Sequence, residues 1–222
     1  MNIFKKIAFS NNLLYEISMK LKNKIMLGTH GVKVENKGYA TLSKDVIGSE
    51  NYIYIGENTT IHKSRIRIRG NNNRLIIEDG CYIGENCSFW MEGNDILIHI
   101  GKETTMTYGI HFCAQENNTK IIIGRDCMLA NTIAIRTSDS HPLYDINTTK
   151  RINDASDVII GDHVWIAPNV KIMKGVIIGE GSVIGTETIV TKQIPENVLA
   201  VGHPARVVKK EIMWTRESLF GV

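Results

Sequence analysis

The sequence predicts a mainly β protein, a solenoid of short parallel strands wound as a triangular coil. Three observations carry that expectation. From residue 158 onward, Ile160, Ile166, Ile172, Ile178, Ile184 and Val190 recur every six residues without a slip. Two places ahead of each stands a smaller or β-branched residue: Val158, Val164, Val170, Val176, Ser182 and Thr188. Upstream, an Ile-Gly pair returns at Ile47-Gly48, Ile55-Gly56, Ile83-Gly84, Ile100-Gly101 and Ile123-Gly124, at wider intervals. A helix needs a period near 3.6 and a lone strand a period of two. Period six fits a short strand and a turn, repeated, with every aliphatic residue aimed at one interior. Three such units close a coil of about 18 residues, and stacked coils bond as parallel sheets.

The elements follow in chain order. Residues 1–29 are expected to cap the open first coil. Ile3, Phe4, Ile7, Leu13, Leu14, Ile17, Met19, Leu21 and Ile25 alternate with lysines there as an amphipathic helical segment. Contact with a membrane surface is the rarer use of such a segment. Residues 30–194 form the solenoid, its corners marked by Gly161, Gly179 and Gly185, where a missing Cβ relaxes the backbone. Polar inserts, such as Gly70 to Arg74 and Glu116 to Asn118, read as corners that bulge outward. The largest insert, 137–157, breaks the rhythm with the run Arg136, Thr137, Ser138, Asp139, Ser140, His141, Pro142, Leu143, Tyr144, Asp145. Pro195 and Pro204 end the pattern, and 195–222 is a C-terminal extension whose Trp214 is expected to fold back or meet a neighbour.

Composition excludes several classes. The net charge is only +3, and the first 27 residues carry five lysines against Glu16 alone, so no nucleic-acid surface is expected. Cys81, Cys87, Cys113 and Cys127 show no C-x-x-C pairing and read as buried thiols of a reducing compartment. No apolar run nears the ~20 residues of a membrane span, and no cleavable leader is evident. The cytoplasm is the expected location.

With these motifs in hand, the chain resembles the hexapeptide-repeat acyltransferases, whose fold is a left-handed parallel β-helix. The resemblance covers nearly all of residues 30–210. It is strongest in I-R-T-S-D-S-H-P-L-Y-D, V-I-I-G-D-H-V-W-I-A-P-N-V, V-T-K and V-G-H-P-A-R-V-V. Within the family it is most similar to the O-acetyltransferases of bacterial surface-polysaccharide pathways. The resemblance implies acetyl transfer from acetyl-CoA to a sugar hydroxyl or amine, without a metal, in a homotrimer with sites between subunits.

A sugar hydroxyl is a poor nucleophile at neutral pH, so a base must take its proton as attack proceeds. An imidazole, which titrates near ~6.5 when unperturbed, suits that task. His141 matches the family's catalytic histidine. Asp139, Asp145 or a backbone carbonyl is expected to hold its second ring nitrogen, with Asp139 favoured. Trp165 stands where many relatives carry Trp, either walling the acyl-donor channel or packing on a neighbouring subunit. By family position, Ala167, Pro168 and Thr186 line the pantetheine arm of coenzyme A, although Thr186 replaces a smaller Ala. Thr191, Lys192, Pro204 and Arg206 meet its nucleotide end. His111, Asn118 and Tyr144 are the expected acceptor contacts. His99, His163 and His203 are read as structural or solvated.

Two enzyme alternatives and one non-enzyme remain at this stage. An N-acetyltransferase of an amino sugar would use the same site with less need of a base. A zinc carbonic anhydrase on a similar helix needs three converging histidines, and His111, His141 and His163 are too evenly spread for that pattern. A non-catalytic scaffold leaves the polar insert and the phosphate-suited end without a role.

Overall fold

The computed structural model describes residues 31–219. The helical segment expected over residues 3–27, and the cap assigned to 1–29, lie outside the described residues. Three sheet faces enclose one apolar interior. The first face stacks β1 (Val32–Asn36), β3 (Asn51–Ile55), β5 (Arg74–Ile77), β8 (Leu97–Ile100), β11 (Lys120–Ile123), β14 (Val158–Ile160) and β17 (Ile177–Ile178). The second holds β6 (Tyr82–Glu85), β9 (Thr105–Tyr108), β12 (Met128–Asn131), β15 (Trp165–Ile166), β18 (Val183–Ile184) and β20 (Val198–Val201). The third holds β7 (Ser88–Glu92), β10 (His111–Gln115), β13 (Ala134–Arg136), β16 (Lys171–Ile172) and β19 (Ile189–Val190). β2 (Tyr39–Ile47) pairs with β4 (Thr60–Arg69), whose two ends join the second and third faces. All of these pairings are parallel, as the six-residue rhythm predicts.

The expected coil length holds only at the C-terminal end. There Ile159 lies opposite Ile177, an offset of 18 residues. Upstream, Tyr52 faces Arg74 and Arg74 faces Leu97, offsets of 22 and 23. The extra residues lengthen the strands of the third face and the turn that leads to the first. That turn is a stacked polar ladder. Asn71 Oδ1 accepts from Ser49 N at 2.9 Å, Asn94 Oδ1 from Asn71 N at 2.9 Å, and Asn117 Oδ1 from Asn94 N at 2.8 Å. The inserts are therefore repeats in their own right, each satisfying the backbone of the coil before it.

The interior is filled from two positions of each unit. Ile160, Ile166, Ile172, Ile178, Ile184 and Val190 are buried, and so are the residues two places ahead of them. Upstream, Thr59, Cys81, Thr104 and Cys127 take that leading position, and each hands its hydroxyl or thiol to a carbonyl of the next coil. Cys81, Cys87 and Cys127 thus sit just before strands instead of inside them, and Cys113 lies within β10. The corner glycines also have a different cause from the expected one. Neither Gly161 nor Gly179 adopts a left-handed φ; Asn169 (62°) and Glu187 (61°) do. A Cβ on Gly179 would instead stand 2.4 Å from Glu196 N, because the next coil's backbone passes there.

After β20 the chain reverses into β21 (Arg206–Lys210), which pairs antiparallel with β20. The tail then folds back along the second face. Trp214 is buried, its ring stacked 4.0 Å from that of His163, and its Nε1 donates to His163 O at 2.9 Å. Arg216 reaches Asp126 and Thr105.

Candidate active site

The insert 137–157 leaves β13 on the third face and returns as β14 on the first. It is consequently an arm from the corner between these faces. Across it the pairing offset rises to 37, from Ala134 to Lys171. Its conformation is fixed by one buried side chain, Asn153. The Asn153 amide donates to His141 O and to Asp139 Oδ2, both at 2.9 Å, and its Oδ1 accepts from Leu143 N at 2.7 Å. Ser140 closes the turn in a left-handed conformation (φ 69°), its hydroxyl 2.6 Å from Gln115 Oε1. Arg151 grips both oxygens of Glu116 at 2.6 and 2.7 Å, and holds that carboxyl below its usual range together with Ser138.

Among the residues named from the sequence, His141 is exposed at the turn of this arm. Its imidazole makes no hydrogen bond or ion pair with the described residues. Asp139 does not reach it. The Asp139 carboxylate is taken by Lys174 Nζ at 2.6 Å and by Asn153, and these bonds depress its pKa, Lys174 first. Asp145 is likewise occupied, accepting from Asn147 N and Thr148 N in a local turn. Asp139 therefore anchors the arm.

Asn118 and Tyr144 line one groove of about 910 Å³ between the arm and the polar corner ladder, with Glu116 and Arg151 at its centre. His111 is apart from them, on β10 of the third face, its Nδ1 bonded to Ser88 Oγ at 2.6 Å. Burial, and then the Arg136 charge, lower its pKa.

Most of the residues expected to meet coenzyme A gather on another edge, and Thr191 and Lys192 do not. Trp165 is outward on β15, 37% exposed and tilted against Trp214. Ala167 and Pro168 follow it at the corner between the second and third faces, and Ala167 N donates to Ile184 O while Glu187 N donates to Pro168 O. Thr186 is exposed directly beside them. Ala205 N donates to Ile189 O, which brings Pro204 and Arg206 to the end of the same edge. Thr191 and Lys192 are exposed after β19, at the far side of the third face. His163 is structural, held by Asp126 and Trp214. His99 bonds Glu78, and His203 bonds Glu187 O. No three His, Cys, Asp or Glu side chains form a metal-holding group among the described residues.

Sequence reasoning passed over Lys174, Asn153, Gln115 and Arg151, which hold the arm. A signal existed for Lys174. With the offset of 37 known, it falls level with Thr137, at the root of the arm.

A parallel β-solenoid with one polar, histidine-bearing arm is the architecture that the resemblance to hexapeptide-repeat transferases implies, and comparison with known proteins gives that class. The bacterial transferase hexapeptide family (six repeats) matches residues 157–192. A polysialic acid O-acetyltransferase of Neisseria meningitidis is 43% identical over 174 residues, 78% of this chain and 79% of that one. Another, from Escherichia coli O1:K1, is 39% identical over 125 residues, 56% of this chain but only 39% of its own length. The crystal structure of a polysialic acid O-acetyltransferase superposes with a TM-score of 0.66 at 33% identity, covering 86% of this chain and 90% of that one. The chain belongs to the hexapeptide-repeat acetyltransferases. It is an acetyl-transferring enzyme.

Proposed function

We propose that this protein transfers acetyl from acetyl-CoA to a hydroxyl of a bacterial surface polysaccharide or its precursor, in the cytoplasm, with His141 as general base. In the proposed step His141 takes the proton of the sugar hydroxyl as its oxygen attacks the thioester carbonyl carbon. The carbon–sulfur bond then breaks, and the imidazolium returns the proton to the departing thiolate. The products are an acetyl ester and a free thiol.

One observation carries this reading. A histidine ring free of partners stands on a rigidly anchored arm, while the Trp165–Ala167–Pro168 edge lies across the third face from it. Within one chain the two are on opposite edges of that face. A homotrimer supports both, since the arm of one subunit then meets the edge of the next. The names of the relatives support a sugar hydroxyl as acceptor. Arg206, at the end of that edge, suits a phosphate of coenzyme A.

Mass spectrometry of surface glycan from cells with and without this protein tests the proposal. An alkali-labile acetyl increment present only with the protein is expected. Identical glycans, or an alkali-stable acetamide, would contradict it.

A further inference from the structure

The C-terminal tail does not stop at the last coil. Ile212 N donates to Asn197 O at 3.0 Å, and from there the chain runs back down the corner between the first and second faces. Three turns are stacked in that corner, at Glu103, Asp126 and His163, each left-handed (φ 60°, 53° and 51°). Trp214 lies on the last of these turns and Arg216 on the other two. Arg216 donates to Asp126 Oδ1 at 2.5 Å, to Thr105 Oγ1 and Cys127 O at 2.9 Å, and to Glu103 O at 3.3 Å.

Trp214 is gripped from both ends. Its Nε1 donates to His163 O at 2.9 Å, and His163 Nε2 lies 3.1 Å from Trp214 O. The two rings stack at 4.0 Å and 8°, and Asp126 holds the other imidazole nitrogen at 2.6 Å. Trp214 is only 8% exposed, yet it stands outside the apolar interior of the solenoid. Its ring instead meets Trp165, at 6.1 Å and an interplanar angle of 48°. His163 precedes Trp165 by two residues along the strand and Ala167 follows it by two. Trp214 therefore fills the side of Trp165 away from Ala167 and Pro168. With that side filled, the Trp165 indole cannot swing back over the corner and stays beside the Ala167–Pro168 edge.

We infer that Trp214 is a positioning residue for the acyl donor: it holds the Trp165 indole in place for acetyl-CoA, and His163 and Arg216 hold Trp214. The inference rests on the acetyltransferase reading above, with Trp165 as a wall of the donor channel. An indole fixed before the ligand arrives has little rotamer freedom left to lose on binding. A free one must be ordered as the ligand binds, which raises Kd by about fivefold. The tail itself touches none of Ala167, Pro168, Thr186 or Arg206 through a hydrogen bond or ring contact, so its effect on the donor passes through Trp165.

The test titrates acetyl-CoA into the full chain by calorimetry, without acceptor, so that Kd and the number of sites are read separately. Trp214→Ala is expected to raise Kd about fivefold with the number of sites unchanged, whereas Trp214→Phe, which keeps a stacked ring, should stay within about twofold. Arg216→Gln is an exposed change that unties the tail and keeps both rings. It is expected to raise Kd about threefold, and it carries the test where the alanine variant fails to fold. Because Trp214 acts through Trp165, the Trp165→Ala/Trp214→Ala double variant is expected to bind as Trp165→Ala does alone. A tail that only supports the fold would lower the number of sites and leave Kd as it is. Wild-type Kd in Trp214→Ala or, where that variant does not fold, in Arg216→Gln, beside a weakened Trp165→Ala, overturns this inference alone, and so does an additive double variant. Wild-type Kd in Trp165→Ala overturns the donor-wall reading and this inference with it. No binding of acetyl-CoA by the wild type overturns the acetyltransferase reading as well.

Discussion

At Asp139 a single carboxylate oxygen receives both the Lys174 ammonium and the Asn153 amide, and Asn153 also fixes the backbone at His141 and Leu143. The pKa of Asp139 is depressed, so its contribution to arm order is fully present above the unfolded value near ~3.9 and disappears as pH falls through the lower folded value. Glu116, lowered by Arg151, acts in the same sense. Amide protection across residues 139–153, taken relative to the intrinsic exchange rate at each pH, is therefore expected to fall below about pH 4, while Asp139→Asn should show lower protection at pH 7 and a flatter pH response. Lys174→Met should lower kcat for acetyl transfer about tenfold, with acetyl-CoA binding unchanged, because the arm and the donor edge are separate. The thiols make a second prediction. Burial pushes Cys127 up to about 12 and Cys81 up to about 11, so an alkylating reagent at pH 8 should label neither until the fold is opened. Rapid labelling of the native protein would contradict their placement. The arm that carries His141 was legible in the sequence as the large break in the repeat, and His141 itself was singled out by the family resemblance. Its supports were not, because Lys174 and Asn153 act across coils and their partners appear only once the register is known.

At the scale of the element, two devices hold coil on coil. Gly179 lets the strand β17 pass within van der Waals reach of Glu196, and a Cβ there would stand 2.4 Å from backbone. Gly179→Ala is expected to destabilise by about 1–3 kcal/mol, since backbone cannot yield as a side chain can; urea unfolding measures it. The tail is the second device. Trp214→Ala removes a buried ring from His163 and should cost about 3 kcal/mol, with the C-terminal coils losing amide protection before the N-terminal ones. The coils from β14 onward were legible because they keep the bare six-residue unit. Those before it were less so. Third-face strands of five residues, such as Ser88–Glu92 and His111–Gln115, stretch the coil and blur the period. The asparagines that seemed to interrupt the rhythm are themselves stacked from coil to coil, a fact that depends on offsets of 22 and 23 and not on composition.

For the whole molecule, the prism places the His141 arm and the Trp165–Ala167–Pro168 edge on opposite edges of one face. If the proposed roles of the arm and the edge hold, activity requires the proposed homotrimer. Co-expressed His141→Ala and Trp165→Ala chains, each weak alone, should recover activity in mixed trimers, because some sites pair an intact arm with an intact edge. A site contained within one chain would show no such recovery. The most direct test of the account compares wild type with His141→Ala in acetyl ester formation on a surface-polysaccharide acceptor, alongside acetyl-CoA binding. Removing a general base is expected to lower kcat by about 10²–10⁴ while acetyl-CoA binds as before. Near wild-type turnover by His141→Ala would contradict the account at its centre.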